Sequence, residues 1–320
     1  MTRPLILLGE SRFAPSARAV LERAGEIVDF ESPEAFAARL PEADAVVVGL
    51  EVHLRGELLA RAERLRVIAS RTTQLRHLDV DEARRRKIAV LSIEADAPAL
   101  QETSSTAEEA FALLLALVRR IPWAFDSIKA ERWDRFRYGG SELRGKTIGL
   151  VGFGRLGRMV ARYAGAFEMR VLAYDPYVDD REIAAGGAEP ASLSDLLGES
   201  HVVSLHCTWS EETRGLIGAA ELELMRDDAV LVNTARGEVV DEAALLAALV
   251  SARIAGAGID TLADEQPDGS HVVGNELIAY ARAHENLIVL PHLGGATREA
   301  TERTQHYISE KLVAWLGDAR

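Results

Sequence analysis

Three segments in the second half of the chain end in groups that together suit the reduction of a 2-keto acid. They are Arg236 in VNTARGE (232–238), Glu265 in the stretch 255–267, and His292 in LPHLGGAT (290–297). The arginine's planar fork clamps a carboxylate, and the histidine delivers a proton to a carbonyl oxygen. The glutamate holds that histidine as the imidazolium. Asp264 adjoins Glu265, and the five-residue offset from Asp260 favours Glu265 as the partner. Each segment follows an apolar run, so all three read as strand ends. In an open parallel sheet such ends line one crevice.

A second motif supplies the reductant. Residues 148–157 (IGLVGFGRLG) run from an apolar strand through Gly152, Phe153, Gly154, Arg155, Leu156 and Gly157 into a helix. Gly152 permits the tight turn, Gly154 lets a pyrophosphate approach, and Gly157 lets helix and strand pack closely. The helix N-terminus offers free N–H groups to the phosphates. The next strand ends at Asp175, 18 residues after Gly157, where a carboxylate accepts from a ribose 2′-OH. Pro176, Tyr177 and Val178 supply no cation for a 2′-phosphate, so NAD is expected rather than NADP.

The elements that must position these groups alternate strictly. Apolar runs at 4–9, 26–30, 45–49, 66–70 and 88–93 are separated by helical patterns, which means βαβ units and a parallel sheet. Residues 101–120 read as one long helix, with Thr103, Ser104 and Ser105 as cap candidates. A second alternation begins at 146, with strands expected at 147–152, 170–174, 202–206, 229–233, 256–260 and 287–290. A long amphipathic helix, 298–315, closes the chain. The expectation is an α/β protein of two domains: 1–100 with 293–320 binds substrate, and 101–292 binds the dinucleotide.

Composition removes other classes. With 37 Lys and Arg against 50 Asp and Glu, the formal net charge is −13, which repels nucleic acid and anionic membrane. The longest apolar run, 110–118, is far short of the roughly 20 residues of a membrane span. MTRPLILLGE has no small-residue cleavage site, so a cytoplasmic protein is expected. Cys207 is the single cysteine, and no Cys/His cluster has zinc-site spacing, so no metal is expected. His206 and Cys207, neighbours at a strand end, read as cofactor-pocket lining.

VGFGRLG, NTARGEVVDE, GID followed by Glu265, and PHLGGAT occur in order. In this the chain resembles the D-isomer-specific 2-hydroxyacid dehydrogenases, the family of phosphoglycerate, glyoxylate and D-lactate dehydrogenases. The resemblance covers essentially the whole chain. It implies a flavodoxin-like substrate domain, an inserted NAD-binding Rossmann domain and a cleft between them. Arg236 then orients the substrate, His292 is the acid/base and Glu265 its partner, while Asp260 contacts the nicotinamide carboxamide. Thr234, Ala235 and Gly294 join the cofactor lining. Backbone amides of the loop carrying Arg71, Thr72, Thr73 and Gln74 cradle the carboxylate of a small 2-keto or 2-hydroxy acid. A homodimer through the helix at 106–120 and the following arm is implied as well.

Some positions depart from the family pattern. Gln74 stands where glycine is usual, and Arg71, Arg76 and His77 make the loop basic, which suggests a substrate with a second anionic or strongly polar group. Glu51 stands where phosphoglycerate enzymes tend to carry a phosphate-binding arginine, and no regulatory domain follows Arg320; both count against 3-phosphoglycerate. The interval 266–286, with Tyr280, Arg282 and His284, is expected to form a helical excursion that trims the pocket. Alternatives are an NAD(H)-sensing scaffold resembling C-terminal-binding corepressors, a phosphoglycerate-type dehydrogenase, or oxidation of phosphite or formate. Glu265 counts against formate.

Overall fold

The computed structural model describes residues 3–94, 97–266 and 268–318; Pro267, quoted above with the Glu265 loop, lies outside them. The chain divides into two compact units, residues 1–103 with 297–320, and residues 104–296. These limits fall three or four residues beyond those expected.

The first unit is a parallel sheet of β1 (Leu5–Gly9), β2 (Glu26–Val28), β3 (Ala45–Val48), β4 (Val67–Ser70) and β5 (Ala89–Leu91). Its order is β2-β1-β3-β4-β5, the doubly wound flavodoxin-like arrangement. Every residue of β3 and β4 is buried, because helices cover both faces; that is why AVVV and VIAS are continuous apolar runs rather than alternations. The connecting helices are α1 (Pro15–Leu21), α2 (Pro33–Arg39), α3 (Gly56–Ala60), α4 (Val80–Arg85) and α5 (Pro98–Gln101). Prolines open α1, α2 and α5, where the missing N–H costs nothing. Ser32 and Asp79 cap α2 and α4.

The second unit begins with α6 (Ser105–Val118) and α7 (Ile121–Lys129). The single helix expected over 101–120 is therefore interrupted twice. Thr103 turns its hydroxyl back onto the Ala99 carbonyl at 2.7 Å, and Arg120 adopts a left-handed backbone (φ 53°) before Pro122 restarts the helix. Ser104 is the residue before α6, yet its hydroxyl donates to the Glu108 carboxylate at 2.5 Å instead of capping the backbone.

The sheet of this unit comprises β6 (Thr147–Val151), β7 (Arg170–Tyr174), β8 (Glu189–Pro190), β9 (Val202–Leu205), β10 (Val230–Asn233), β11 (Gly256–Ile259) and β12 (Leu287–Val289). Its order, β12-β11-β10-β9-β6-β7-β8, is the Rossmann arrangement, with the reversal between β6 and β9. The helices are α8 (Arg155–Ala166), α9 (Asp180–Ala185), α10 (Leu193–Glu199), α11 (Ala219–Leu224), α12 (Glu242–Val250) and α13 (Glu276–Ala281). The chain then returns to the first unit as α14 (Arg298–Asp318), which packs on α1 and seats Ile308, Leu312 and Leu316 against β1 and β3 side chains. No helix among the described residues is long and apolar enough to cross a membrane.

The excursion at 266–286 does contain α13, but it leads into the amino end of β12, the end opposite His292. There the Tyr280 hydroxyl donates to the Leu249 carbonyl at 3.1 Å, and His284 stacks on Tyr280 at 3.8 Å. Tyr280 and His284 therefore pack the far end of the sheet and do not trim the pocket.

Candidate active site

Six strands of the second unit, β6, β7 and β9–β12, carry the candidate groups at their carboxyl ends, and the strand order reverses between β6 and β9. After β6 the chain turns at Gly152 with φ 97°. A Cβ there would sit 2.6 Å from the Cys207 nitrogen, so this crossing with the end of β9 requires glycine. Gly157 opens a similar close approach, its Cβ position lying 2.3 Å from the Gly152 carbonyl oxygen. A Cβ on Gly154 would meet nothing within 4 Å, which leaves open space over the first turn of α8. Its N–H groups and positive dipole end suit the phosphates of a dinucleotide. Arg155 is the first residue of α8 and is half-buried, and Leu156 packs on the core beneath.

Asp175 follows β7. Its Oδ2 accepts from the Phe153 N–H at 2.8 Å and its Oδ1 from the Tyr177 N–H at 3.0 Å. The carboxylate is thus locked to the glycine turn, and each oxygen keeps a lone pair for a ribose hydroxyl. His206 meets Ser204 Oγ through Nε2 at 2.9 Å, and burial pushes its pKa down to about 4. Burial likewise pushes the Cys207 thiol up to about 11. Both are neutral at pH 7, which suits a lining and excludes a thiolate nucleophile. Thr234 Oγ1, at the carboxyl end of β10, is buried without a partner among the described residues; such an orphan hydroxyl fits a bound polar ligand.

The three chemistry-bearing residues come together. His292 Nδ1 lies 2.6 Å from Glu265 Oε2, so Nδ1–H donates to the carboxylate and Nε2 is left to exchange a proton. It is Glu265, not its neighbour Asp264, that reaches the histidine. Burial alone would raise the Glu265 carboxyl. The hydrogen bond and charge of His292, the Leu262 N–H and the Arg236 guanidinium outweigh that and hold it below the usual range. Arg236 gets this close because residue 237 is glycine: a Cβ there would fall 2.0 Å from the Leu262 carbonyl carbon. Asn233, a residue the sequence reading passed over, braces the same turn. Its amide donates to the Arg236 carbonyl at 2.8 Å and accepts from Ala235 N at 3.0 Å.

Asp260 has a structural part that spacing did not disclose. Its Oδ1 accepts from Leu293 N at 2.6 Å and its Oδ2 from Gly294 N at 2.8 Å. His292 N donates to the Asp260 carbonyl at 2.8 Å. These three bonds hold His292 in a left-handed backbone, φ 55°, a costly conformation for a non-glycine residue. Burial raises the Asp260 carboxyl above its ordinary range. Glu109, one turn into α6, is raised by burial and by the charge of Asp260; the sequence carried no signal for that neighbour.

In the first unit, the loop after β4 differs from the basic loop expected. Thr72 Oγ1 donates to the Gln74 carbonyl at 2.7 Å, so Ser70 Oγ donates to Thr72 at 2.9 Å and accepts from His77 Nε2–H at 3.1 Å. His77 is buried, its pKa lowered to about 4 by burial first and by nearby His53, Arg55 and Arg71. It is neutral at pH 7. Arg71 pairs with Glu10 at 2.6 Å. Two of the three expected loop cations are thus cancelled or absent; Thr73 is exposed.

A dinucleotide seat beside an Arg–Glu–His cluster, in a Rossmann unit, defines a nicotinamide-dependent dehydrogenase site. Residues 111–294 match the model of the NAD binding domain of D-isomer specific 2-hydroxyacid dehydrogenases. The chain is 37% identical over 98% of its length to D-3-phosphoglycerate dehydrogenase of Mycobacterium tuberculosis, of which it spans 57%. It is 36% identical to glyoxylate reductase of Aeropyrum pernix, covering 98% of this chain and 93% of that one. The D-lactate dehydrogenase of Aquifex aeolicus, solved with NAD and lactic acid, superimposes with a TM-score of 0.80 at 29% identity, covering 98% and 96% of the two chains. The chain belongs to the D-isomer specific 2-hydroxyacid dehydrogenase family, and its cofactor is NAD. It spans little more than half the length of the mycobacterial relative.

Proposed function

We propose that the chain reduces a small 2-keto acid to the D-2-hydroxy acid, or runs the reverse, with the Arg236–Glu265–His292 cluster as the observation that carries the reading. NADH supplies a hydride to C2 of the keto acid. Arg236 binds the substrate carboxylate. His292 Nε2–H gives its proton to the carbonyl oxygen, and Glu265 stabilises the charged ring through Nδ1. Asp260 fixes the turn on which His292 stands and faces the carboxamide. Glu51 after β3, in place of the arginine that phosphoglycerate enzymes tend to carry, favours a glyoxylate-type substrate over 3-phosphoglycerate. A cytoplasmic setting suits the free thiol of Cys207.

NADH oxidation with a panel of 2-keto acids tests this. Turnover of glyoxylate is expected; tight NADH binding without turnover of any acid would instead mean an NAD(H)-sensing scaffold. Asp175→Ala is expected to cut the NADH over NADPH preference by roughly a hundredfold, about 2.7 kcal/mol, from the charge-assisted hydrogen bond to the 2′-OH lost with NADH and the repulsion of the 2′-phosphate relieved with NADPH. An unchanged preference would reassign the ribose contact.

The reading includes a homodimer. The apolar face of α6 is spent inside its own unit, with Ala107, Ala110, Phe111, Leu114 and Leu117 buried. The exposed apolar surface lies instead on α7 and the arm after it: Ile121 53%, Phe125 62%, Ile128 50%, Trp133 87% and Phe136 91% exposed. The first three share one helix face by their i, i+4, i+7 spacing. Sedimentation velocity is expected to give twice the chain mass, and Phe125→Asp with Phe136→Asp to give the monomer. A monomeric native protein would remove the dimer from the reading.

A further inference from the structure

The second unit carries a cavity that no part of the proposed reaction uses. It lies at the amino ends of β6 and β9–β12, the end of the sheet opposite His292. The last turn of α6 and residues 139–141 of the following arm close its side. That arm segment is seated tightly. Ser141 N donates to the Val118 carbonyl at 2.9 Å, and a Cβ on Gly140 would lie 2.4 Å from the same oxygen. The cavity measures about 210 Å³, below the roughly 300 Å³ at which pockets begin to take drug-sized ligands, so a molecule of a few carbons fits it. Leu117, Leu143 and Val230, all buried, give it an apolar wall.

Lys146, His201, Asp228 and Glu285 supply its titratable groups. Both acids are already matched. Asp228 accepts from Arg226 Nε at 2.7 Å, and Glu285 from Arg120 at 2.8 Å and Arg137 at 3.0 Å. Lys146 is half-buried and has no ion-pair partner among the described residues. His201 Nδ1 accepts from Thr147 N at 3.2 Å, so the ring proton sits on Nε2, which meets no protein acceptor among the described residues. Burial first, then the charges of Arg226 and Lys146, lower its pKa against the pull of Asp228. The ring is therefore a neutral donor at pH 7. Arg120 Nε and Asn286 Oδ1 are sealed within the wall and offer a ligand nothing. What remains is an uncancelled ammonium and an N–H donor beside an apolar wall, in a chain of formal net charge −13. A metal cation would meet no unpaired carboxylate, and an inorganic dianion would leave the wall unused. A carboxylate takes both donors, and a short hydrocarbon body covers the wall. We propose that Lys146 and His201 form a seat for a small aliphatic monocarboxylate, separate from the Arg236–Glu265–His292 cluster and independent of the reaction proposed for it.

Butyrate, which has no 2-keto group to reduce, is the probe, and the full chain saturated with NADH is the sample. The readout is the His201 ring resonance in histidine-labelled protein, assigned with His201→Gln, so that butyrate held elsewhere in the chain does not register. Butyrate is expected to shift that resonance saturably and to raise the His201 pKa by about one unit, since an anion beside the ring favours its charged form. Sodium chloride at equal ionic strength is expected to do neither. Lys146→Ala is expected to weaken butyrate about tenfold, the loss of one charge-assisted hydrogen bond. Should alanine unsettle the start of β6, Lys146→Met keeps the length of the stem and must weaken butyrate equally. A shift that chloride reproduces is an ionic-strength effect only and overturns the seat. So does a saturable shift that neither lysine substitution weakens. Inorganic phosphate binding more tightly than butyrate, read on the same resonance, overturns the monocarboxylate as its ligand.

Discussion

Replacing His292 by alanine is expected to lower kcat for 2-keto acid reduction roughly 10³-fold, the middle of the range for losing a general acid, with the NADH dissociation constant within about twofold of native. Stopped-flow turnover and fluorescence titration of NADH separate the two. An equal loss in both would make His292 a structural residue of the turn. Glu265→Gln removes the charge behind the imidazole and is expected to cost kcat about 10–100-fold, without the full loss. Its stability signature has a definite sign. The Glu265 carboxyl is held below its ordinary range in the fold, so it contributes stability above the unfolded value of 4.5 that is lost as pH falls through the lowered folded value. At pH 7 the variant is expected to be about 1 kcal/mol less stable than native. The difference is expected to close as pH falls through that lowered value, since a protonated glutamic acid is nearly a glutamine. A gap that does not narrow on acidification would mean the pair acts through packing.

Asp260→Asn is expected to reduce kcat about a hundredfold although residue 260 donates no proton. An asparagine offers one acceptor oxygen where Leu293 N and Gly294 N both need one, and its amide would face an N–H. The turn that holds His292 at φ 55° would then relax, and a displacement of the order of 1 Å at a reacting group costs about 10²-fold. The diagnostic is the split: kcat falls with His292 chemically intact, and backbone amide exchange at 293 and 294 quickens. Unchanged exchange with reduced kcat would assign the loss to the nicotinamide contact alone.

Much of this was legible in the residues. Strand–helix alternation with doubly buried apolar runs such as AVVV leaves little choice but a parallel sheet with helices on both faces. The glycine spacing at 152, 154 and 157 and the acid at 175 follow from local geometry, and local geometry is what a sequence encodes most directly. Arg236, Glu265 and His292 were legible for a related reason, since each sits at a strand end and parallel strands bring such ends to one edge.

What the chain order could not supply was the partner of each side chain. The loop at 71–77 reads as basic, because arginine and histidine carry charge as free residues. In the fold Arg71 meets Glu10, 61 positions earlier, and Gln305, on the last helix, shares that carboxylate. Burial strips His77 of its proton. Desolvation and long-range pairing depend on which surfaces the fold closes together, and no local pattern reports that. The same holds for Asp260, whose distance from His292 along the chain concealed a direct grip on its turn, and for the breaks at Thr103 and Arg120 in an otherwise helical run. The sequence by itself determined the sheet types, the glycine turn after β6 and which residues are candidates for the chemistry. Only the tertiary structure decided which charges survive there, because protonation and pairing are set by the dielectric and the neighbours that folding creates.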